Sequence, residues 1–384
     1  MAISTLTTFP GTETAAAQRI SSIDILRALT MVLMIFVNDL GSLKNIPDWL
    51  RHVERGVDGI GLSDVVFPAF LFIVGLSLPY AVQNRIKKGD SDWDLVKHIL
   101  FRTLVLLIMG VFLVNGESIN AQATGLPRWL WNPLSCLCFI LIWNAYQKNS
   151  NNILHKGMKV TGILILTGLA IMYRGGEQGE VRFEPHWWGI LGLIGWAYLV
   201  SSLITVFARN NFYWLLAGWI FFCVLSIVNK AGLLQGGVFN YIPAAILGGT
   251  LPGLTMGGVL ASFIFRYYTA KKDNRTLTLV FFVWSVLLIG LSIITRPYWG
   301  LAKLGATPAW LFLCSAFTLL AFTAIYWIAD VWKRSGWFNF VKPAGTDTLL
   351  CYLIPYFVYA SFRVTGFKFP EVLLTGGVGL VKSL

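Results

Sequence analysis

The residues best equipped for chemistry lie in the first 64 positions: Asp24, Arg27, Asn38, His52 and Asp64. Asp24 and Arg27 are three residues apart, so on a helix they share a face and can form an ion pair. Asn38 follows Asp24 by fourteen residues, close to four turns, and returns to nearly the same face about 21 Å along the axis. One face would then carry charge at one end and an amide at the other. That is either a helix-end salt bridge with an interfacial cap, or a polar path through a bundle. Ionisable groups inside an apolar span are costly to bury, which favours a functional reason for them.

His52 sits in a loop with Glu54, Asp58 and Asp64 close in sequence. A loop histidine is ordinarily a solvated surface residue. This loop is tethered at both ends by apolar segments, with Asn38 and Asp64 bracketing it. Histidine moves protons near neutral pH better than any other side chain. A carboxylate accepting one ring N–H would fix the tautomer and leave the other nitrogen free as a base. Asp64 can supply that carboxylate, or cap the helix that begins beside it, or do both. Arg102, four residues after His98, suits a phosphate or carboxylate partner, with snorkelling to the interface as the bland alternative. Asp330 is expected to pair locally, near Lys333. The pairs Trp129/Trp131 and Trp187-Trp188 read as interfacial belts.

The elements holding these residues are apolar and long. Of 384 residues 56% are hydrophobic and 12% charged, about half the charged fraction of soluble domains. Apolar runs near 23–40, 60–82, 98–114, 129–146, 160–173, 187–207, 212–228, 242–265, 277–294, 309–331 and 346–362 approach the ~20 residues that cross a bilayer. The fold class expected is all-α: a polytopic integral membrane helical bundle of about 11 transmembrane helices, with 10–12 as the range. Gly248, Gly249, Pro252 and Gly253 interrupt the run at 242–265, which reads as broken or re-entrant. After Phe369-Pro370 the chain is either a short amphipathic end or the start of a further span.

The formal charge of +12 fits the positive-inside bias. No basic run with interleaved aromatics points to nucleic acid. Fifteen Lys and Arg lie in loops after even-numbered spans, against nine after odd-numbered ones. This places the N-terminus, a tail of residues 1–21, in the cytoplasm, and the loop carrying His52 on the opposite side. Residues 1–17 lack the apolar core of a signal peptide. The five cysteines all lie in or beside apolar runs and have no zinc spacing, so no metal is expected and they read as small buried hydrophobes. No Walker, Rossmann, zincin or G-x-S-x-G signature occurs.

Two segments resemble a known family. The first is Ser22-Ile23-Asp24-Ile25-Leu26-Arg27-Ala28-Leu29-Thr30, then Phe36-Val37-Asn38, then His52. The second is Asp58-Gly59, then Asp64-Val65-Val66-Phe67-Pro68, then Phe70-Leu71-Phe72-Ile73-Val74-Gly75. They look like the transmembrane acetyltransferase family of heparan-α-glucosaminide N-acetyltransferase and its bacterial relatives. Weaker likeness continues at 102–115, 189–192, 246–258 and 342–356. The resemblance implies a single transmembrane acyltransferase domain over 22–384, in a bacterial inner (plasma) membrane. It would move an acetyl group from cytoplasmic acetyl-CoA to an amino sugar or other glycan acceptor across the bilayer. It carries the catalytic histidine and its neighbouring asparagine over to His52 and Asn38. In that reading Asp64 orients His52, and Arg27 and Arg102 contact the CoA phosphates. Where the family often has a tryptophan after the histidine, this chain reads Val53-Glu54-Arg55, which leaves the acceptor open. A homodimer is compatible with such a bundle. The rival expectation is a non-catalytic transporter or channel that uses the polar face of the first helices.

Overall fold

The computed structural model describes residues 20–144, 146 and 152–383. The tail at 1–19 and Lys148, one of the fifteen basic loop residues counted above, lie outside them. The long helices are α1 (Ser21–Asp39), α2 (Leu62–Lys87), α3 (Asp92–Asn115), α4 (Arg128–Trp143), α5 (Asn152–Met172), α6 (Ile190–Phe207), α7 (Phe212–Lys230), α8 (Thr250–Ala270), α9 (Asn274–Trp299), α10 (Pro308–Tyr326) and α11 (Thr348–Thr365). A short α12 (Gly376–Ser383) follows. Among the described residues eight helices are long and apolar enough to cross a membrane. The chain is therefore an all-α polytopic membrane bundle. The other three expected spans also fold as helices, α1, α4 and α8, but are not among the eight.

The run at 242–265 is divided, as its glycines and proline suggest. A four-residue helix, Ala244–Leu247, ends at Gly248-Gly249, and α8 starts afresh at Thr250 with Pro252 in its first turn. Pro is tolerated there because the first N–H groups of a helix have no intrahelical acceptor. The chain after Phe369 forms a single 3₁₀ turn and then α12, eight residues long.

The chain divides into two compact units. One comprises residues up to Thr103, Trp196–Thr348 and Pro370 onward; the other comprises Leu104–Gly195 and Leu349–Phe369. In the first unit, α2 packs against α8 through small residues. A Cβ on Gly75 would overlap the carbonyl oxygen of Thr255, and one on Gly258 would overlap that of Phe72. Lipid gives helices no hydrophobic drive to associate, so close backbone approach is what makes such a crossing favourable. The expected result for Gly75→Ala is a forced separation of α2 and α8 costing about 1–3 kcal/mol. A thermal midpoint in detergent unchanged from the wild type would contradict this.

The N-terminus of α1 is fixed by tertiary contact. Asp330 accepts a hydrogen bond from the Ser22 N–H at 3.0 Å, satisfying an orphan donor of the first turn and placing negative charge at the positive end of the helix. This corrects the expected local pairing of Asp330. The residue lies in a π-helical turn, Trp327–Val331, which aims its carboxylate at a helix 308 residues away in sequence.

The second unit is centred on an aromatic cluster of Phe112, Trp131, Tyr173 and Phe183. Trp131 is fully buried and its indole N–H donates to the Phe112 carbonyl at 2.9 Å. It therefore belongs to the core, not to an interfacial belt, whereas Trp129 and Trp188 are exposed. Two residues apart on one helix, Trp129 and Trp131 point to opposite sides, which explains the split. Four of the five cysteines are buried and Cys351 is half-buried.

Candidate active site

The loop between α1 and α2 brings His52 onto the first turn of α2. Two features of the local sequence make this approach. Gly61 has no side chain, and a Cβ there would overlap the Arg51 carbonyl oxygen, so only glycine lets residues 51–53 cross the start of α2. The Ser63 hydroxyl donates to the Leu50 carbonyl at 2.6 Å, and the Arg51 guanidinium donates to the Leu43 carbonyl at 3.1 Å. The crossing strand is thus tied down on both sides of His52.

Asp64 is the hub. Its Oδ2 accepts the Val53 N–H at 3.0 Å and the Gly61 N–H at 3.1 Å. Its Oδ1 lies 2.7 Å from Nδ1 of His52. The Asp64 side chain is 3% exposed and that of His52 47%. A buried carboxylate needs such donors to stay ionised. With both N–H groups on Oδ2, Oδ1 presents lone pairs to Nδ1, so in the neutral ring Nδ1 carries the proton and Nε2 the lone pair. Asp64 also satisfies the free N–H that precedes its own helix, so it serves the helix end and the histidine together. Below it, the Trp310 indole donates to the Asp64 backbone carbonyl at 3.0 Å.

A second loop, between α9 and α10, closes on this one. The Gly59 N–H donates to the Leu301 carbonyl at 3.0 Å, and the Leu301 N–H donates to Asp58 Oδ1 at 2.7 Å. Arg296 donates through Nε to both Asp58 oxygens at 3.1 and 3.0 Å. A cavity of about 580 Å³ opens beside this pair, lined by Asp58, Ile293, Arg296, Pro297 and Gly300. From the same loop Lys303 reaches inward, with Nζ 3.3 Å from His52 Nδ1 and 3.4 Å from the Ser63 carbonyl oxygen. Lys303 had no signal in the sequence: it lies 251 residues from His52 and in no motif.

The Leu301 N–H holds the Asp58 carboxyl below its ordinary range against the opposing effect of burial, with Arg296 adding to the lowering. A carboxylate depressed in the folded state contributes its stability above its unfolded value of about 3.9 and loses it as pH falls through the folded value. Both side chains are about half exposed, so the effect is small. Amide exchange at Gly59 and Leu301 should speed up about threefold as pH drops through this window, after correction for intrinsic rates, and Asp58→Asn should show the faster rate already at neutral pH. Equal protection in wild type and variant would remove Asp58 from the tie.

The other expected site residues are distributed as follows. Asn38 is exposed in the last turn of α1. The next residue, Asp39, is held by α12 through Lys382 at 2.7 Å and the Ser383 hydroxyl at 2.5 Å, which fixes that end of α1. At the opposite end, Arg27 pairs with Asp24 at 3.2 Å and donates to the Ser77 hydroxyl of α2 at 2.6 Å. Arg102 is exposed, with its guanidinium carbon 5.0 Å from the Tyr198 ring centroid. The structure thus joins His52 to Asp64 directly. Arg27 and Arg102 engage different groups on different helices.

Residues 19–250 match the family model described as a domain of unknown function (DUF5009). The chain is also 32% identical over 126 residues to heparan-alpha-glucosaminide N-acetyltransferase of Mus musculus, and 31% identical over 122 residues to the Homo sapiens protein of the same name. These matches cover 33% and 32% of this chain, but only 17% and 16% of the mouse and human proteins.

Proposed function

The chain belongs to the DUF5009 family, and from that premise we propose that it is a multi-pass membrane acetyltransferase with His52 at its reacting centre. The observation that carries this reading is the 2.7 Å contact of His52 Nδ1 with buried Asp64, which leaves Nε2 as a base on a half-exposed ring. The likeness to two N-acetyltransferases supports the reaction class.

In the proposed reaction acetyl-CoA is the donor and an amino sugar or other glycan amine is the acceptor. The acceptor nitrogen attacks the thioester carbonyl. A C–N bond forms, the C–S bond breaks, His52 Nε2 takes the amine proton, and the CoA thiolate leaves and is protonated. If the acetyl group first rests on the enzyme, Nε2 is again the atom that carries it, so His52 reacts through one nitrogen on either route. Asn38 would steady the carbonyl oxygen as negative charge builds on it. Arg27 and Arg102 would contact CoA phosphates. The excess of Lys and Arg in alternate loops supports a cytoplasmic N-terminus, with His52 opposite and the donor entering from the end of α1 that carries Arg27; the membrane proposed is a bacterial inner one.

The test is acetyl-CoA binding to the purified protein by calorimetry, with CoA release followed over a panel of amino sugars. Binding together with acceptor-dependent release is expected. A protein that binds no acetyl-CoA would exclude this reading and leave the transporter.

A further inference from the structure

The mechanism above uses Asp64 and His52 and gives no part to Lys303, although its ammonium is one of the nearest charges to the ring. Its position is built, not incidental. The turn that carries it is closed by the Ala306 N–H on the Lys303 carbonyl at 2.9 Å and the Thr307 N–H on the Ala302 carbonyl at 3.3 Å. The Thr307 hydroxyl accepts the Ala302 N–H at 3.2 Å, and Leu301 is locked to Asp58 and Gly59. These bonds deliver Nζ to 3.3 Å from His52 Nδ1.

That nitrogen is the wrong one for an ordinary hydrogen bond. Nδ1 already faces Asp64 Oδ1 at 2.7 Å and carries the ring proton. A lysine ammonium has only donors, so Lys303 makes no hydrogen bond to Nδ1–H and donates instead to the Ser63 carbonyl at 3.4 Å. Its interaction with the ring is electrostatic. Asp64 alone would favour a doubly protonated ring, since a carboxylate in contact stabilises imidazolium. A protonated ring has no lone pair on Nε2. Asp64 and Lys303 together carry no net charge, and adding a proton to His52 would create an uncompensated cation beside Lys303.

We propose that Lys303 is a positioning residue that keeps His52 neutral, with its single ring proton on Nδ1, by setting a second cation against the nitrogen that Asp64 holds. The consequence for rate rests on the acetyltransferase reading; the effect on His52 does not. The charged and titratable groups around the ring are Asp64 from α2 and Lys303 from the α9–α10 turn. The Cys314 thiol of α10 is close enough to interact with both Asp64 and Lys303. The loop itself adds Arg51, Glu54 and Arg55, and Asp58, which Arg296 neutralises. Burial pulls the Lys303 ammonium below the ordinary lysine range, while the Asp64 carboxylate pulls it back. A like charge at this distance typically displaces a titration by about one to three pH units, and partial exposure of the ring argues for the lower figure.

The chain has four histidines, so His52 can be followed by nitrogen NMR of histidine-labelled protein in nanodiscs, with its signal assigned from His52→Gln. The variants are Lys303→Met and Lys303→Arg, with Lys303→Gln replacing the first should it not fold. Loss of the charge should raise the midpoint of the His52 titration by about one pH unit, whereas Lys303→Arg should leave it within about 0.3 unit. The acid limb of the CoA-release profile should move up with it in Lys303→Met, costing about tenfold in rate below the midpoint and recovering at higher pH. A midpoint that stays or falls in a folded, charge-free variant overturns the proposal. So does an arginine variant that behaves like the methionine one. Absence of CoA release from every form, wild type included, would reject the acetyltransferase reading, and the NMR midpoints would still decide the role of Lys303.

Discussion

His52→Ala should lower acceptor-dependent CoA release by about a thousandfold, with acetyl-CoA binding unchanged to within about twofold. The ring is half exposed in a loop and is held through Nδ1 beside Asp64 and Lys303, so truncation removes the reacting nitrogen and little packing. Positioned acid–base groups typically contribute 10²–10⁴-fold, and a group that also carries the acyl chain lies at the upper end. The split between binding and turnover is the informative part. A structural histidine would lose both together, whereas one that acts only as the acetyl group moves leaves the donor bound and unreacted. Tight binding with no turnover in the variant, checked by calorimetry beside a thiol-trapping assay, is the pattern expected.

Asp64→Asn should cost about a hundred- to a thousandfold by a different route. The amide is nearly the same size, and its oxygen can still accept the Val53 and Gly61 N–H groups now held by Oδ2. Its NH₂ then faces His52 Nδ1, where a carboxylate oxygen stood. Two donors cannot meet, so the ring changes tautomer: Nδ1 accepts and Nε2 becomes protonated. The site keeps its shape and loses its base. The variant should fold with a thermal midpoint close to that of wild type, bind acetyl-CoA and turn over slowly. A midpoint lowered by tens of degrees would instead assign Asp64 to the end of α2 alone. Near-normal turnover would remove it from the mechanism.

The parts of this molecule that were legible in the sequence are those written in contiguous residues. The apolar runs announced the helices, and Gly248-Gly249 with Pro252 announced the break before α8, because both signals are local. Asp24 and Arg27 could be paired from spacing alone, and the structure joins them at 3.2 Å. His52 and Asp64 stood close enough in sequence for a carboxylate–histidine contact to be drawn, although the crossing over Gly61 that permits it depends on a backbone approach no pattern shows. What was not legible is tertiary. Lys303 arrives at His52 from a turn 251 residues away. Asp330 turns from its neighbour Lys333 to the Ser22 N–H because a π-helical turn redirects it. Trp131 looked like an interfacial residue, and only packing against Phe112 and Tyr173 shows it to be core. Composition likewise marked eleven apolar runs, and all eleven contain helices, eight of which among the described residues combine the length and apolarity to cross a bilayer.

The most direct measurement is made in sealed proteoliposomes with acetyl-CoA on one face and amino-sugar acceptors on the other, wild type beside His52→Ala. Wild type should release CoA on the donor face and acetylate an acceptor on the opposite face, and His52→Ala should bind acetyl-CoA and do neither. Wild type that binds no acetyl-CoA, or a His52→Ala protein that acetylates as fast as wild type, would contradict the account.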